Sequence, residues 1–328
     1  MPHQPIVGHS RQLAELAADI ESKNISHAYV FVGSPNLGKM TVAKWFAREL
    51  ITAGKTFEEQ AVIDHQLAKL IHPDLIALDQ LWIEEKCEDW DVIAQSTNIP
   101  QQHRAKTPAM KTDVISIDDI REMMNRLHDT GDGQYRFCII RGIERMQDPA
   151  ANAFLKILEE PPPGRVFLLT ADAPIQTILP TILSRSRVLR FQRVSDREVA
   201  TVLKDSDTSR KLSTSEDMRR FILHLAQGAP GTALRLAHDP DALREEQLLH
   251  EKAISFWSQT SAIERMTALT PLHERGAQSD RFLFHLAIAL RELPSYTRVQ
   301  ERALMELEEG LRTNASRPLM TELFALTV

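Results

Sequence analysis

At 328 residues, with 43% hydrophobic and 26% charged side chains, the chain exceeds one ordinary core and suits two or three domains of a soluble protein. No apolar run approaches the ~18 residues of a membrane span, which excludes a membrane partner from the expected roles. A formal net charge of −6 gives no general attraction to nucleic-acid phosphates, so any DNA contact is expected to be local or made through partners.

The start, Met1 to Val7, has neither the basic opening nor the apolar stretch of a secretory signal, and a cytoplasmic location is expected. Ser10 is placed to cap a helix whose apolar positions Leu13, Leu16, Ala17 and Ile20 recur at helical spacing and stop near Lys23 and Asn24. The run His27 to Val32 predicts a strand ending at Gly33, and after Gly38 the stretch Val42 to Leu50 returns to helical spacing. Residues 84–112, with Pro100, Pro108 and little periodicity, read as an exposed loop or insertion.

Arg136 to Ile140 predicts a second strand; Asp148 then offers an N-cap followed by Pro149 at the first helical position, opening a helix through Leu158 that Pro161, Pro162, Pro163 and Gly164 stop. Val166 to Thr170 is a third strand, and Val188 to Phe191 a fourth, after a helical turn from Pro180 to Arg187. Strands separated by helices imply a parallel sheet covered on both faces, the α/β class. From Val194 onward the pattern is helical, broken by Gly228, Pro230 and Gly231 and later by Pro271, Pro294 and Pro318.

Between the first strand and the next helix, Gly33, Ser34, Pro35, Asn36, Leu37, Gly38, Lys39, Met40 and Thr41 fit the pattern G-x-x-x-x-G-K. In that context glycines let the backbone wrap a phosphate, amides at a helix N-terminus point at it, and Lys39 reaches the outer phosphates. The next position should carry the hydroxyl that holds magnesium, but it is Met40, whose thioether is a poor magnesium ligand. Thr41 has a hydroxyl, yet one helical residue turns it by ~100°. ATP or ADP binding stays open on these grounds, whereas magnesium positioning is not expected. Cys87 and Cys138 stand far apart and outside any C-x-x-C pair, so neither a disulfide framework nor a four-cysteine zinc site is expected.

Several segments, taken in order, resemble bacterial clamp-loader subunits of the AAA+ ATPase family: Ile6-Val7-Gly8-His9, Ser26 to Phe31, His72-Pro73-Asp74-Leu75, Ile117 to Arg121, Met146 to Pro162 and Leu179 to Ser186. The long stretch Ala151-Asn152-Ala153-Phe154-Leu155-Lys156-Ile157-Leu158-Glu159-Glu160-Pro161-Pro162 is the most specific, and Ser184-Arg185-Ser186 looks like the family's Ser-Arg-Cys motif with its cysteine replaced. The resemblance implies an AAA+ nucleotide-binding-like domain over residues 1–192, a small helical lid over 193–237 and an all-α collar over 238–328. It also implies membership of a hetero-pentamer with gamma/tau and delta subunits, which opens the sliding clamp and sets it on primed DNA.

Active members carry Asp-Glu after the strand matching Phe137 to Ile140, where this chain has Arg141 and Gly142. A guanidinium reverses the charge beside a divalent cation, and glycine offers no base. Glu144 lies beyond the strand end and is expected to match a structural acid. The lid arginine of active members corresponds to Gly231. With Met40, these departures are similar to the delta-prime branch, with its own hydrolysis lost and no cofactor required. Arg185 then resembles the arginine finger acting on a neighbour's ATP, an effect worth ~10³ to 10⁵ in rate in well-studied switches. Thr170 and Asp172 match the family's polar sensor of the terminal phosphate, while His27 and His72 are expected to be packed or surface residues. The interval that holds four zinc-binding cysteines in most relatives holds only Cys87, so a metal-free insertion is expected there. A gamma/tau-like motor that hydrolyses ATP, and an AAA+ protein of recombination or replication initiation, stand as alternative readings.

Overall fold

The computed structural model describes residues 6–68, 71–78, 114–128, 133–205 and 216–328; the 84–112 insertion and Cys87 lie outside the described residues. The chain divides into two compact units, Met1–Leu234 and Arg235–Val328.

The first unit is built on a five-stranded sheet of order β2-β3-β4-β1-β5, formed by β1 (Ala28–Val32), β2 (Leu75–Leu78), β3 (Arg136–Arg141), β4 (Arg165–Ala171) and β5 (Arg187–Arg190). Every pairing is parallel, with Val30 opposite Leu169 on one side and Val188 on the other. Alternation along each strand sorts the side chains between two cores, as a sheet buried on both faces requires. Val30, Cys138, Ile140, Phe167 and Leu169 pack against α4 (Ile117–His128) and α5 (Asp148–Glu159) through Ile120, Met123 and Phe154. Tyr29, Phe31, Phe137, Ile139 and Leu168 pack on the other side against α1 (Ser10–Ser22), α2 (Lys39–Ile51) and α3 (Phe57–Ala68). The strand order leaves the C-terminal ends of β1, β3 and β4 side by side, which is where open parallel sheets place their ligands.

Two caps differ by one residue from the sequence expectation. Ser10 is the first helical residue and not the cap; His9, in the left-handed region at φ 58°, precedes it and makes no side-chain cap bond. Asp148 is likewise inside its helix, with Gln147 before it and Pro149 in the first turn. Strand β2 was not expected: Leu-Ile-Ala-Leu is too short for a periodic signal, yet its pairing with β3 buries all four residues. His72 beside it is buried, and its Nδ1 accepts the Asp74 N–H at 3.1 Å.

A short helical turn, α6 (Pro180–Leu183), precedes β5, and after that strand come α7 (Asp196–Asp205), α8 (Glu216–Ala226) and α9 (Pro230–His238). Ala229, just before α9, joins the sheet core. The second unit is helical: α10 (Pro240–Ser258), α11 (Ala262–Ala268), α12 (Ala277–Glu292), α13 (Arg298–Arg312) and α14 (Arg317–Thr327). Its core gathers Phe256, Phe282, Leu286, Leu307 and Phe324, with the Phe256 and Phe324 rings stacked at 5.4 Å. Asp239 caps α10 by accepting the Asp241 and Ala242 amides at 3.0 and 2.9 Å. No helix among the described residues is long and apolar enough to cross a membrane.

Candidate functional site

Strand β1 delivers the chain to Gly33, whose N–H donates to the Ala171 carbonyl at the end of β4 at 3.3 Å. The loop then passes the exposed Ser34, Pro35 and Asn36 and drops the buried Leu37 into the core before α2 begins. Gly38 turns into that helix at φ 91°, a left-handed value that side-chain-bearing residues rarely adopt, with open space where a Cβ would stand. His9 braces the loop from outside: its Nε2 lies 2.8 Å from the Leu37 carbonyl and its ring 4.6 Å from that of Phe191. Burial lowers the pKa of His9, against the opposing pull of that carbonyl and Glu198.

Lys39 is the centre of the site. Its side chain is 4% exposed and its Nζ donates to the Gly33 and Ser34 carbonyls at 2.6 and 2.5 Å, while Asp172 Oδ1 lies 2.7 Å away. Burial pushes the Lys39 ammonium below its ordinary range and Arg141 adds to the fall; Asp172 and Glu144 oppose it. The lysine is therefore satisfied by two carbonyls of its own loop and one carboxylate of its own chain.

Of the two expected sensor residues, Asp172 meets Lys39 and Thr170 turns inward. Thr170 is buried, and both its carbonyl, at 2.9 Å, and its hydroxyl, at 3.4 Å, face the Gly142 amide. Glu144 accepts the Asp172 amide at 3.2 Å, fixing the loop that carries the lysine's partner. Arg141 thus ends β3 and Gly142 follows it. Met40 packs against the sheet core and Thr41 lies one residue further along α2. Met40 and Arg141 offer magnesium no oxygen ligand, and the two carboxylates near Lys39 are engaged, Asp172 by the lysine and Glu144 by the Asp172 amide.

The start of α9 closes on the loop. The Gly231 amide donates to the Asn36 carbonyl at 2.8 Å, and Asn36 Nδ2 donates to Thr232 Oγ1 at 3.2 Å. A Cβ on Gly231 would meet Asn36 O at 2.9 Å and Asn36 Cα at 3.2 Å, so this close approach requires glycine. The sequence identified Gly231 as a helix breaker and a missing arginine; its docking on Asn36 and the bracing by His9 had no local signal beyond the residues themselves.

Arg185 stands apart from this group, at the end of α6. Its Nη2 donates to Glu159 Oε1 at 2.9 Å and its Nη1 to the Thr181 carbonyl at 3.2 Å. Lys39, Thr170, Asp172, Glu144 and Gly142 are brought together; Arg185 is not among them.

A family model described as DNA polymerase III, delta subunit, matches residues 8–195. The chain belongs to this clamp-loader family. It is 28% identical to DNA polymerase III subunit delta' of Escherichia coli K12 over 172 residues, covering 51% of this chain and 50% of that protein. It is 26% identical to subunit delta' of Bacillus subtilis over 200 residues, 61% of this chain and 52% of the relative, and 24% identical to subunit tau of the same organism over 293 residues, 88% and 43%. The chain thus spans about half the length of the curated relatives it matches. Among solved structures, a DNA polymerase III gamma subunit-related protein of Thermotoga maritima aligns over 96% of this chain and 97% of that one at 18% identity, with a TM-score of 0.49. The fold of the first unit, a parallel AAA+ sheet, agrees with the family and with the class expected from the sequence.

Proposed function

We propose that this chain is a delta-prime-like subunit of a DNA polymerase III clamp loader, which hydrolyses no ATP itself and lends Arg185 to ATP bound by an adjacent subunit. In this reading it sits in a hetero-pentamer with gamma/tau and delta subunits and helps the assembly set the sliding clamp on primed DNA. Its own contact with DNA is indirect, in keeping with a net charge of −6.

One observation carries the reading: Arg141 and Gly142 stand at the end of β3, and the two carboxylates nearby are engaged, Asp172 by Lys39 and Glu144 by the Asp172 amide, rather than placed to hold a metal or activate water. Without metal and base, phosphoryl transfer in this pocket lacks both charge stabilisation and a positioned nucleophile. Arg185, half-exposed in the turn after a short helix, keeps a permanent positive charge that can face outward to a neighbour.

The test is a reconstituted loader carrying Arg185→Ala. Turnover at the site abutting this chain should fall by ~10³-fold or more, with the other sites unchanged; equal ATPase in variant and parent would overturn the trans role. A motor-subunit reading has one observation in its favour, the alignment of 88% of this chain with a tau subunit. Under that reading the isolated chain hydrolyses ATP and loses the activity on replacement of Lys39.

A further inference from the structure

Arg185 is fixed by contacts from two separate elements. Nη1 donates to the Thr181 carbonyl at 3.2 Å and to Ser184 Oγ at 3.3 Å, both on its own turn. Nη2 donates to Glu159 Oε1 at 2.9 Å, and Glu159 is the last residue of α5. That helix is rooted in the sheet core through Phe154 and Leu158, which are 0% and 2% exposed, so the carboxylate hangs from a rigid part of the fold. The short α6, by contrast, is a single turn and has little stiffness of its own.

A guanidinium has five N–H donors. Three are taken by Thr181, Ser184 and Glu159, and among the described residues no acceptor meets the Nε–H or the second Nη2–H. Two donors on one planar group therefore stay available for an oxyanion, in a side chain whose remaining freedom has already been removed. The Glu159–Arg185 pair has side chains 53% and 36% exposed and adds little to stability, so its consequence lies in where it holds the guanidinium.

We infer that Glu159 is a positioning residue for Arg185, holding the guanidinium in advance at the angle from which it meets a phosphate of the adjacent subunit. This rests on the reading that Arg185 acts in trans. Glu159 touches no phosphate; it acts by ordering the arginine before the neighbour arrives and by keeping its free donors outward. Its carboxylate accepts through one oxygen only, so an amide oxygen can replace it in geometry.

The experiment compares Glu159→Ala, Glu159→Gln, Arg185→Ala and the Glu159→Ala/Arg185→Ala double variant in the full reconstituted loader, measuring kcat and KM for ATP, with thermal melting of each isolated chain. Glu159→Ala is expected to lower kcat at the abutting site about tenfold with KM unchanged and melting unchanged. Glu159→Gln, which keeps an acceptor oxygen, should restore most of the rate, and the double variant should match Arg185→Ala alone. If Glu159→Ala turns over like the parent, or faster, while Arg185→Ala is slow, the positioning role is wrong and the trans role of Arg185 stands. Loss of rate in Glu159→Ala accompanied by lowered melting or failure to join the assembly makes Glu159 merely structural and also overturns the inference. An Arg185→Ala loader with parental turnover overturns the trans reading itself.

Discussion

Asp172 Oδ1 lies 2.7 Å from Lys39 Nζ, so the lysine of the phosphate loop meets a carboxylate supplied by the chain's own β4 connection. The ammonium is buried and also bonded to two loop carbonyls, an arrangement that leaves a phosphate to compete with a fixed internal anion.

Replacing Asp172 by Asn removes the internal charge and leaves the Lys39 ammonium with neutral acceptors only. The variant should lose about 1–3 kcal/mol of stability in urea unfolding. Tripolyphosphate, an anion able to replace the lost carboxylate, should then raise its melting temperature more than it raises the parent's. Equal shifts in both proteins would mean that Asp172 does not compete for this lysine.

Gly231→Ala brings a methyl group within 2.9 Å of the Asn36 carbonyl oxygen and 3.2 Å of its Cα, both backbone atoms that cannot swing aside. Overpacking of this kind costs about 1–3 kcal/mol. Hydrogen exchange should report the loss locally, as faster exchange of the Gly231 amide that now donates to Asn36. Unchanged protection would place the start of α9 elsewhere than on the loop.

In the helical unit, Glu246 is buried beside His285, whose Nε2 lies 2.7 Å from Oε2, and receives Arg281 Nε at 3.1 Å and Arg235 Nη2 at 3.3 Å on Oε1. Burial works against its ionisation, but the bond to His285 and the charge of Arg281 together hold its pKa below the ordinary 4.5. A depressed folded-state value means that the stabilisation is complete above the unfolded value and is lost as pH falls through the folded one. Glu246→Gln should therefore cost about 3 kcal/mol at neutral pH. The gap between variant and parent should shrink as the pH drops below 4.5; a gap that is constant with pH would refute the assignment.

Cys138 sits in the centre of β3 with no exposed surface, and burial pushes its thiol far above the ordinary range. It should resist thiol reagents in the native chain and react only on unfolding, which peptide mapping after labelling would read directly. Rapid native labelling at this position would show that the sheet opens readily.

Four strands and the phosphate loop were legible because each strand is a short continuous apolar run and the loop's glycines and lysine have fixed spacing. Strand β2 was not, since four residues after His72-Pro73-Asp74 give no period, and only the pairing with β3 makes them a strand. The caps slipped by one because Ser10 and Asp148 are good capping residues that the chain nonetheless placed inside their helices. At the site, the absent carboxylates at Arg141 and Gly142 could be read from the sequence. The Lys39–Asp172 pair and the Asn36–Gly231 clasp could not, because each joins segments that only the parallel sheet and the packing of α9 bring together.

The most direct test of the central claim is steady-state phosphate release from ATP and magnesium by the purified isolated chain. A pocket with its lysine neutralised by Asp172 and with Arg141 and Gly142 in place of carboxylates predicts no turnover above background. Turnover that requires magnesium and disappears in Lys39→Ala would contradict it.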